Sequence, residues 1–143
     1  MKKYTFLFFL GLVASLFTAC SDDDNLTDSI TPAPESENFF SFGMTFASQP
    51  GVRSITFTAG RAWQAALDEP GANNWCIVTP TRGEAGTVTV SITVNENESD
   101  DTRNVHLNLI AGSAQKSFTI SQAPKPIVIP EGLSYSLEEP DAD

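Results

Sequence analysis

The chain has 143 residues, with 8 Lys and Arg against 18 Asp and Glu, a formal net charge of −10. Such an acidic chain repels phosphate backbones, which argues against nucleic acid as a partner. Its length allows one small domain built around one core.

The chain opens with Met1-Lys2-Lys3, and Tyr4 to Phe17 is then apolar apart from Thr5 and Ser15. That run is too short for a ~30 Å hydrocarbon core, which takes ~20 residues. A positive start, a short apolar run and small residues before a cut site mark residues 1–19 as a secretory signal peptide. Phe17-Thr18-Ala19-Cys20 resembles the lipobox of bacterial lipoproteins, with Phe17 where leucine is usual. The resemblance implies that Cys20 becomes the first mature residue and carries a thioether-linked diacylglycerol, usually with a third acyl chain on its amino group. Two or more chains anchor a protein stably. Ser21-Asp22-Asp23-Asp24 resembles the acidic surface-export signal of Bacteroidota lipoproteins. Together these imply an outer-membrane protein, held by lipid and facing the cell exterior. Without residues 1–19 the net charge becomes −12, because Lys2 and Lys3 leave and no acid does. With Cys20 acylated, Cys76 is the one remaining thiol, so no internal disulfide can form.

Residues 20–38 are rich in Ser, Asp, Thr, Pro and Glu and read as a disordered acidic tether behind the lipidated cysteine. Within it, Asp28-Ser29-Ile30 resembles the acceptor motif of Bacteroidota O-glycosylation, which makes Ser29 a candidate acceptor.

From Phe39 the pattern changes to period two. Ile55 and Phe57 alternate with Ser54, Thr56 and Thr58, and Val88, Val90, Ile92 and Val94 alternate with Thr87, Thr89, Ser91 and Thr93. Val105, Leu107 and Leu109 alternate with Asn104, His106 and Asn108, and Phe118 and Ile120 with Ser117, Thr119 and Ser121. Shorter strand candidates are Ser41–Ala47, Trp63–Leu67 and Trp75–Thr79. Apolar residues facing β-branched hydroxyl residues predict half-buried strands. Gly- and Pro-containing turns separate them, and no helical period of useful length follows the signal peptide. The expected fold is all-β: an immunoglobulin-like antiparallel β-sandwich of about seven strands over residues 39–123. Residues 124–143 then read as an acidic C-terminal tail or linker, in which Ile127-Val128-Ile129 could pair with a sheet edge.

An ordered set of residues carries a more specific resemblance. It runs from Trp63 through Trp75-Cys76-Ile77-Val78-Thr79-Pro80, Gly83-Glu84-Ala85-Gly86, Val88–Val94 with Asn95, and Arg103, to Ile120-Ser121-Gln122. This resembles the BACON domain, the Bacteroidetes-associated, carbohydrate-binding, often N-terminal module. Cys76 stands where leucine is more frequent. The resemblance implies a noncatalytic accessory domain of a surface glycan-handling system. Its partners would be polysaccharide or mucin glycans and other surface glycan-utilisation proteins. A competing family role is that of a spacer or protein-interaction module that binds no glycan.

Sugar-binding modules present aromatic faces on which pyranose rings stack. The candidates are Trp75 and Trp63, with Phe39, Phe40 and Tyr135 behind them, and Asn73 and Asn74 as partners for sugar hydroxyls. Trp63 is equally open to a core reading, and the face to which Trp75 points is open. Cys76 reads as a small buried hydrophobe and His106, the one histidine, as a surface residue. Asn95-Glu96-Asn97-Glu98-Ser99-Asp100-Asp101 is rich in oxygen ligands but lacks regular calcium-loop spacing, so it reads as a solvated loop. Arg103 is expected to pair with a carboxylate. The chain shows no nucleophilic triad, phosphate loop or metal-ligand set, so no cofactor, metal or enzymatic activity is expected.

Overall fold

The computed structural model describes residues 26–132. The signal peptide, Cys20, the export signal at Ser21 to Asp24, and Tyr135 lie outside the described residues. Among the described residues, nine strands form two sheets. In chain order they are β1 (Ile30–Pro32), β2 (Met44–Phe46), β3 (Gly51–Ala59), β4 (Trp63–Leu67), β5 (Cys76–Thr79), β6 (Arg82–Gly83), β7 (Gly86–Val94), β8 (Arg103–Ala111) and β9 (Ala114–Gln122). One sheet has the order β1-β3-β7-β5 and the other β2-β9-β8-β4-β6. Every pairing is antiparallel except β2 with β9. The architecture is the expected β-sandwich, and each of the seven anticipated strands is present.

Period two explains the core. Ile55, Phe57 and Ala59 of β3 point inward with Val90, Ile92 and Val94 of β7, and face Val105, Leu107 and Leu109 of β8 and Phe118 and Ile120 of β9. Burying each large apolar side chain contributes about 1.5–3 kcal/mol. On the outer face, the Thr56 and Thr89 hydroxyls lie 3.0 Å apart and those of Thr58 and Thr87 2.8 Å apart. These cross-strand hydroxyl pairs sit on the pairing register of β3 with β7.

Register also defines two ends of the sandwich. The near end holds the β3–β4 turn, the β8–β9 turn and Glu84-Ala85, because Ala59 pairs with Gly86 and Ala111 with Ala114. The far end holds residues 95–102 and the start of β5, because Gly51 and Cys76 both pair with Val94 and Arg103 pairs with Gln122.

The expected tether boundary requires correction. Residues 26–38 belong to the folded domain. Ile30, Thr31 and Pro32 pair with Ala59, Thr58 and Phe57, and Ile30 is buried. Ala33 continues the ladder by donating its N–H to the Thr56 carbonyl at 2.9 Å. Ser36, also buried, accepts the Thr56 N–H on its hydroxyl at 2.8 Å. Just before β1, Asp28 bonds to two turns. It pairs with Arg61 of the β3–β4 turn at 2.7 Å and accepts the N–H and hydroxyl of Ser113, in the β8–β9 turn, at 2.8 and 2.7 Å. The Ser113 hydroxyl, its N–H and then Arg61 hold the Asp28 carboxyl below the usual range. A carboxylate with a lowered pKa stabilises the fold above its unfolded value, and that contribution fades only in acid. A polar segment thus gains order from partners distant in sequence, which composition does not record. Ser29 sits half-buried beside Gly60 rather than on a free tether, and a Cβ at Gly60 would lie 2.5 Å from its hydroxyl.

A six-residue helix, α1 (Glu37–Phe42), carries the chain from β1 in one sheet to β2 in the other. It is too short to show a helical period. Phe40 packs edge-on against Phe118 at 5.0 Å, while Phe42 is 85% exposed. Gly43 ends the helix at φ +83°, and a Cβ there would lie 2.9 Å from the Thr119 carbonyl oxygen, so glycine is required on both counts. Residues 127–129 form no strand and are exposed, so they do not pair with the domain's own sheets.

Phe57→Ala should cost about 3–5 kcal/mol in urea unfolding. Phe42→Ala should change stability by no more than about 0.5 kcal/mol in the same assay.

Candidate functional site

The far end brings together most of the residues that the sequence singled out. Glu69-Pro70-Gly71 turns the chain out of β4, with Gly71 at φ +92°, and a single 3-10 turn follows at Ala72–Asn74. Ala72 is buried and anchors the turn, leaving Asn73 and Asn74 exposed. Trp75 closes it, donating its N–H to the Ala72 carbonyl at 3.0 Å and accepting the Asn95 N–H at 2.8 Å. The Asn95 side chain adds a donor to the Asn74 carbonyl at 3.1 Å. Trp75 is half-buried. From Cys76 alternation takes over: Cys76 and Val78 point inward, and Ile77 outward at 46% exposure. This settles the direction that the sequence left open.

Arg103 lies over the Trp75 ring, its guanidinium carbon 4.5 Å from the ring centroid. Among the described residues no carboxylate pairs with it. Instead Arg103 donates to the Asn95 and Glu96 carbonyls at 2.8 and 3.0 Å, and through Nε and Nη2 to Gln122 Oε1 at 3.0 and 2.8 Å. Gln122 is fully buried, and its Nε2 donates to the carbonyls of Ser48, Gln49 and Asn95 at 3.2, 3.3 and 2.9 Å. The planar guanidinium fork suits several acceptors at once while keeping a face free for the indole. One face of Trp75 is therefore occupied from within the domain. The rest of Trp75 packs partly against the core, and its chain neighbours Asn73, Asn74 and Ile77 are exposed.

The acidic loop is organised by Asn97, which is buried. Its backbone N–H meets the Ser48 carbonyl at 2.7 Å. Its side-chain amide donates to the carbonyls of Asp101 and Ala123, both at 2.9 Å, and accepts the Ser99 N–H at 3.2 Å. Glu96, Glu98, Asp100 and Asp101 face solvent. Among the described residues, no group of three or more His, Cys, Asp or Glu gathers to hold a metal ion.

Trp63 belongs to the core. It is 3% exposed and packs edge-on against Phe57 at 5.1 Å, so it offers no face to a sugar. A groove of about 600 Å³ lies above it at the near end, bordered by Gln64, Arg82 and Glu84. Cys76 is buried, and burial pushes its thiol up to about 11. His106 is exposed and pairs with Asp68 at 3.0 Å; the His106 N–H, bonded to the other carboxylate oxygen at 2.9 Å, draws Asp68 below its usual range.

Residues 63–123 match the model of the BACON family, described as "Putative binding domain, N-terminal". Over these residues the chain is similar to the BACON family. The match starts at the buried Trp63 and ends just past Gln122, so it spans both the core tryptophan and the Arg103–Gln122 network. A solved Bacteroides ovatus GH5 xyloglucanase, in complex with an XXXG heptasaccharide, resembles this chain with a TM-score of 0.56 and 22% identity. The likeness is one of fold. It covers 68% of this chain and 19% of the xyloglucanase, so this chain corresponds to a small part of that protein. An NMR structure of a protein from Bacteroides thetaiotaomicron is 19% identical over 73% of this chain and 95% of its own, with a TM-score of 0.45. No curated protein matches the chain.

Gln122→Leu keeps the volume but removes the acceptor of Arg103 Nε and the amide donor to the Gln49 carbonyl, and thins the bonding of the Ser48 and Asn95 carbonyls. It should destabilise the domain by about 3 kcal/mol in chemical denaturation. Cys76 should resist a thiol reagent at pH 8 until urea unfolds the chain, because burial suppresses the reactive thiolate.

Proposed function

We propose that this protein is a lipid-anchored, noncatalytic accessory protein whose BACON domain binds carbohydrate at the far end. The carrying observation is the corner formed by half-buried Trp75 with exposed Asn73, Asn74 and Ile77. An aromatic ring beside amide side chains suits a pyranose, whose apolar face can stack while its hydroxyls take hydrogen bonds. Arg103 holds the ring in place, so little rotamer freedom is lost on binding. Cys20 carries the lipid in this reading, and Ser21 to Asp24 direct the domain to the outer face of the outer membrane. A glycan at Ser29 would sit at the near end, away from the binding corner. Partners would be polysaccharide or mucin glycans, together with other surface glycan-utilisation proteins.

A second reading, the spacer, draws on a different observation. The described chain enters the sandwich at the near end, where Asp28 meets Arg61 and Ser113, and leaves past Gln122 at the far end. A domain with entry and exit at opposite ends separates whatever flanks it.

A glycan array probed with the mature chain discriminates the two. Binding reproduced on the array and weakened roughly tenfold by Asn73→Ala with Asn74→Ala, about 1.4 kcal/mol, supports the glycan reading. Both side chains are exposed, so the variant should fold. Silence across plant, host and microbial glycans would leave the spacer.

A further inference from the structure

We infer that the near end of the sandwich faces the lipid bilayer, so that the Trp75 corner and the acidic loop point away from it. The inference rests on the reading of Cys20 as the acylated anchor. The rest of the argument lies in the fold. The Leu26 carbonyl already accepts a hydrogen bond from Arg61 Nη2 at 3.2 Å. Asp28 then meets Arg61 at 2.7 Å and Ser113 twice, and the Ser29 carbonyl accepts the Gly60 N–H at 3.0 Å. These partners come from the β3–β4 turn, which crosses from one sheet to the other, and the β8–β9 turn, and both lie at the near end. The first described residues are thereby fastened to the end at which the chain enters.

Only residues 21–25 separate Cys20 from Leu26. Even fully stretched, that link reaches about 20 Å. The nine residues of β3 run from one end to the other, and a nine-residue strand spans about 30 Å. The link is thus shorter than the domain, and an inverted placement, with the far end on the membrane and the near end raised, is out of reach. Charge acts in the same direction. Glu96, Glu98, Asp100 and Asp101 crowd the far end, whereas Arg61 and Arg82 lie at the near end beside Glu84. Anionic headgroups repel the first set, whereas at the near end Asp28 and Glu84 offset the two arginines and leave no excess negative charge. The surface that fits the bilayer comprises Leu26, Arg61, Ala85, Gly112 and their neighbours. The Trp75 corner stands a strand length further out.

The test uses the full acylated protein in vesicles of phosphatidylethanolamine and phosphatidylglycerol that carry a headgroup-linked quencher. A dye is placed on Ala85→Cys at the near end or on Glu98→Cys at the far end; both positions are exposed, and native Cys76 is buried. Quenching at 85 should exceed that at 98 by roughly threefold or more, given a separation comparable to the ~30 Å hydrocarbon core. Asp28→Ala with Arg61→Ala should release the entry segment, lengthen the link and even out the two signals. Equal or reversed quenching in the unsubstituted background, in protein that floats with the vesicles, overturns the orientation and leaves the anchor intact. A difference that survives the double substitution overturns the role of the Asp28 contacts. Failure to float removes the anchor and the orientation with it.

Discussion

The far end depends on one buried amide. Gln122 is removed from water, yet its side chain has acceptors for both amide protons and donors for its oxygen. A buried polar group is tolerable only when satisfied in this way. Its partners come from β8, from the connection between β2 and β3, and from the chain just after β7, so one side chain joins parts of both sheets. Arg103 extends the knot to Trp75. The ordered pattern of tryptophan, arginine and a closing glutamine thus has a structural cause: these residue types form a connected network.

The near end is fastened differently. Asp28 is close to solvent, so its bond to Arg61 is individually weak in the manner of surface ion pairs. Its two bonds to Ser113 and the short β1 ladder supply the rest. The effect is positional more than energetic. Asp28 joins the β3–β4 turn to the β8–β9 turn and fixes where the chain enters. Between the two polar ends lies a continuous apolar core that includes Trp63 and Cys76.

This arrangement bears on function through geometry. The two tryptophans have separate tasks. Trp63 fills volume against Phe57, while Trp75 lies under the Arg103 guanidinium and stays only partly buried. A platform held by Arg103 and flanked by exposed amides is suited to weak, repeated contacts with sugars. Its distance from the entry end would keep it clear of a membrane.

Much of the fold was legible in the sequence. Alternation in β3, β7, β8 and β9 directly records which side chains face the core, because strand side chains project to opposite sides. The apolar character of a lone thiol made Cys76 a buried hydrophobe. The sequence could not place Ile30–Pro32 in a sheet, because one buried isoleucine among polar residues has no period. It could not assign Arg103, because its partners are backbone carbonyls and an amide brought near only by pairing. Nor could it separate Trp63 from Trp75, since both stand at the starts of strand-like runs.

By itself, then, the sequence determined the strand pattern, the all-β class and the residues able to form a core, since these follow from local chemistry repeated at a fixed period. Tertiary structure alone decided that residues 26–38 belong to the domain, that Trp63 is covered and Trp75 only half so, and that the entry segment and Trp75 lie at opposite ends. Each of these depends on contacts between residues far apart in the chain, and their geometry exists only once the two sheets have closed on each other.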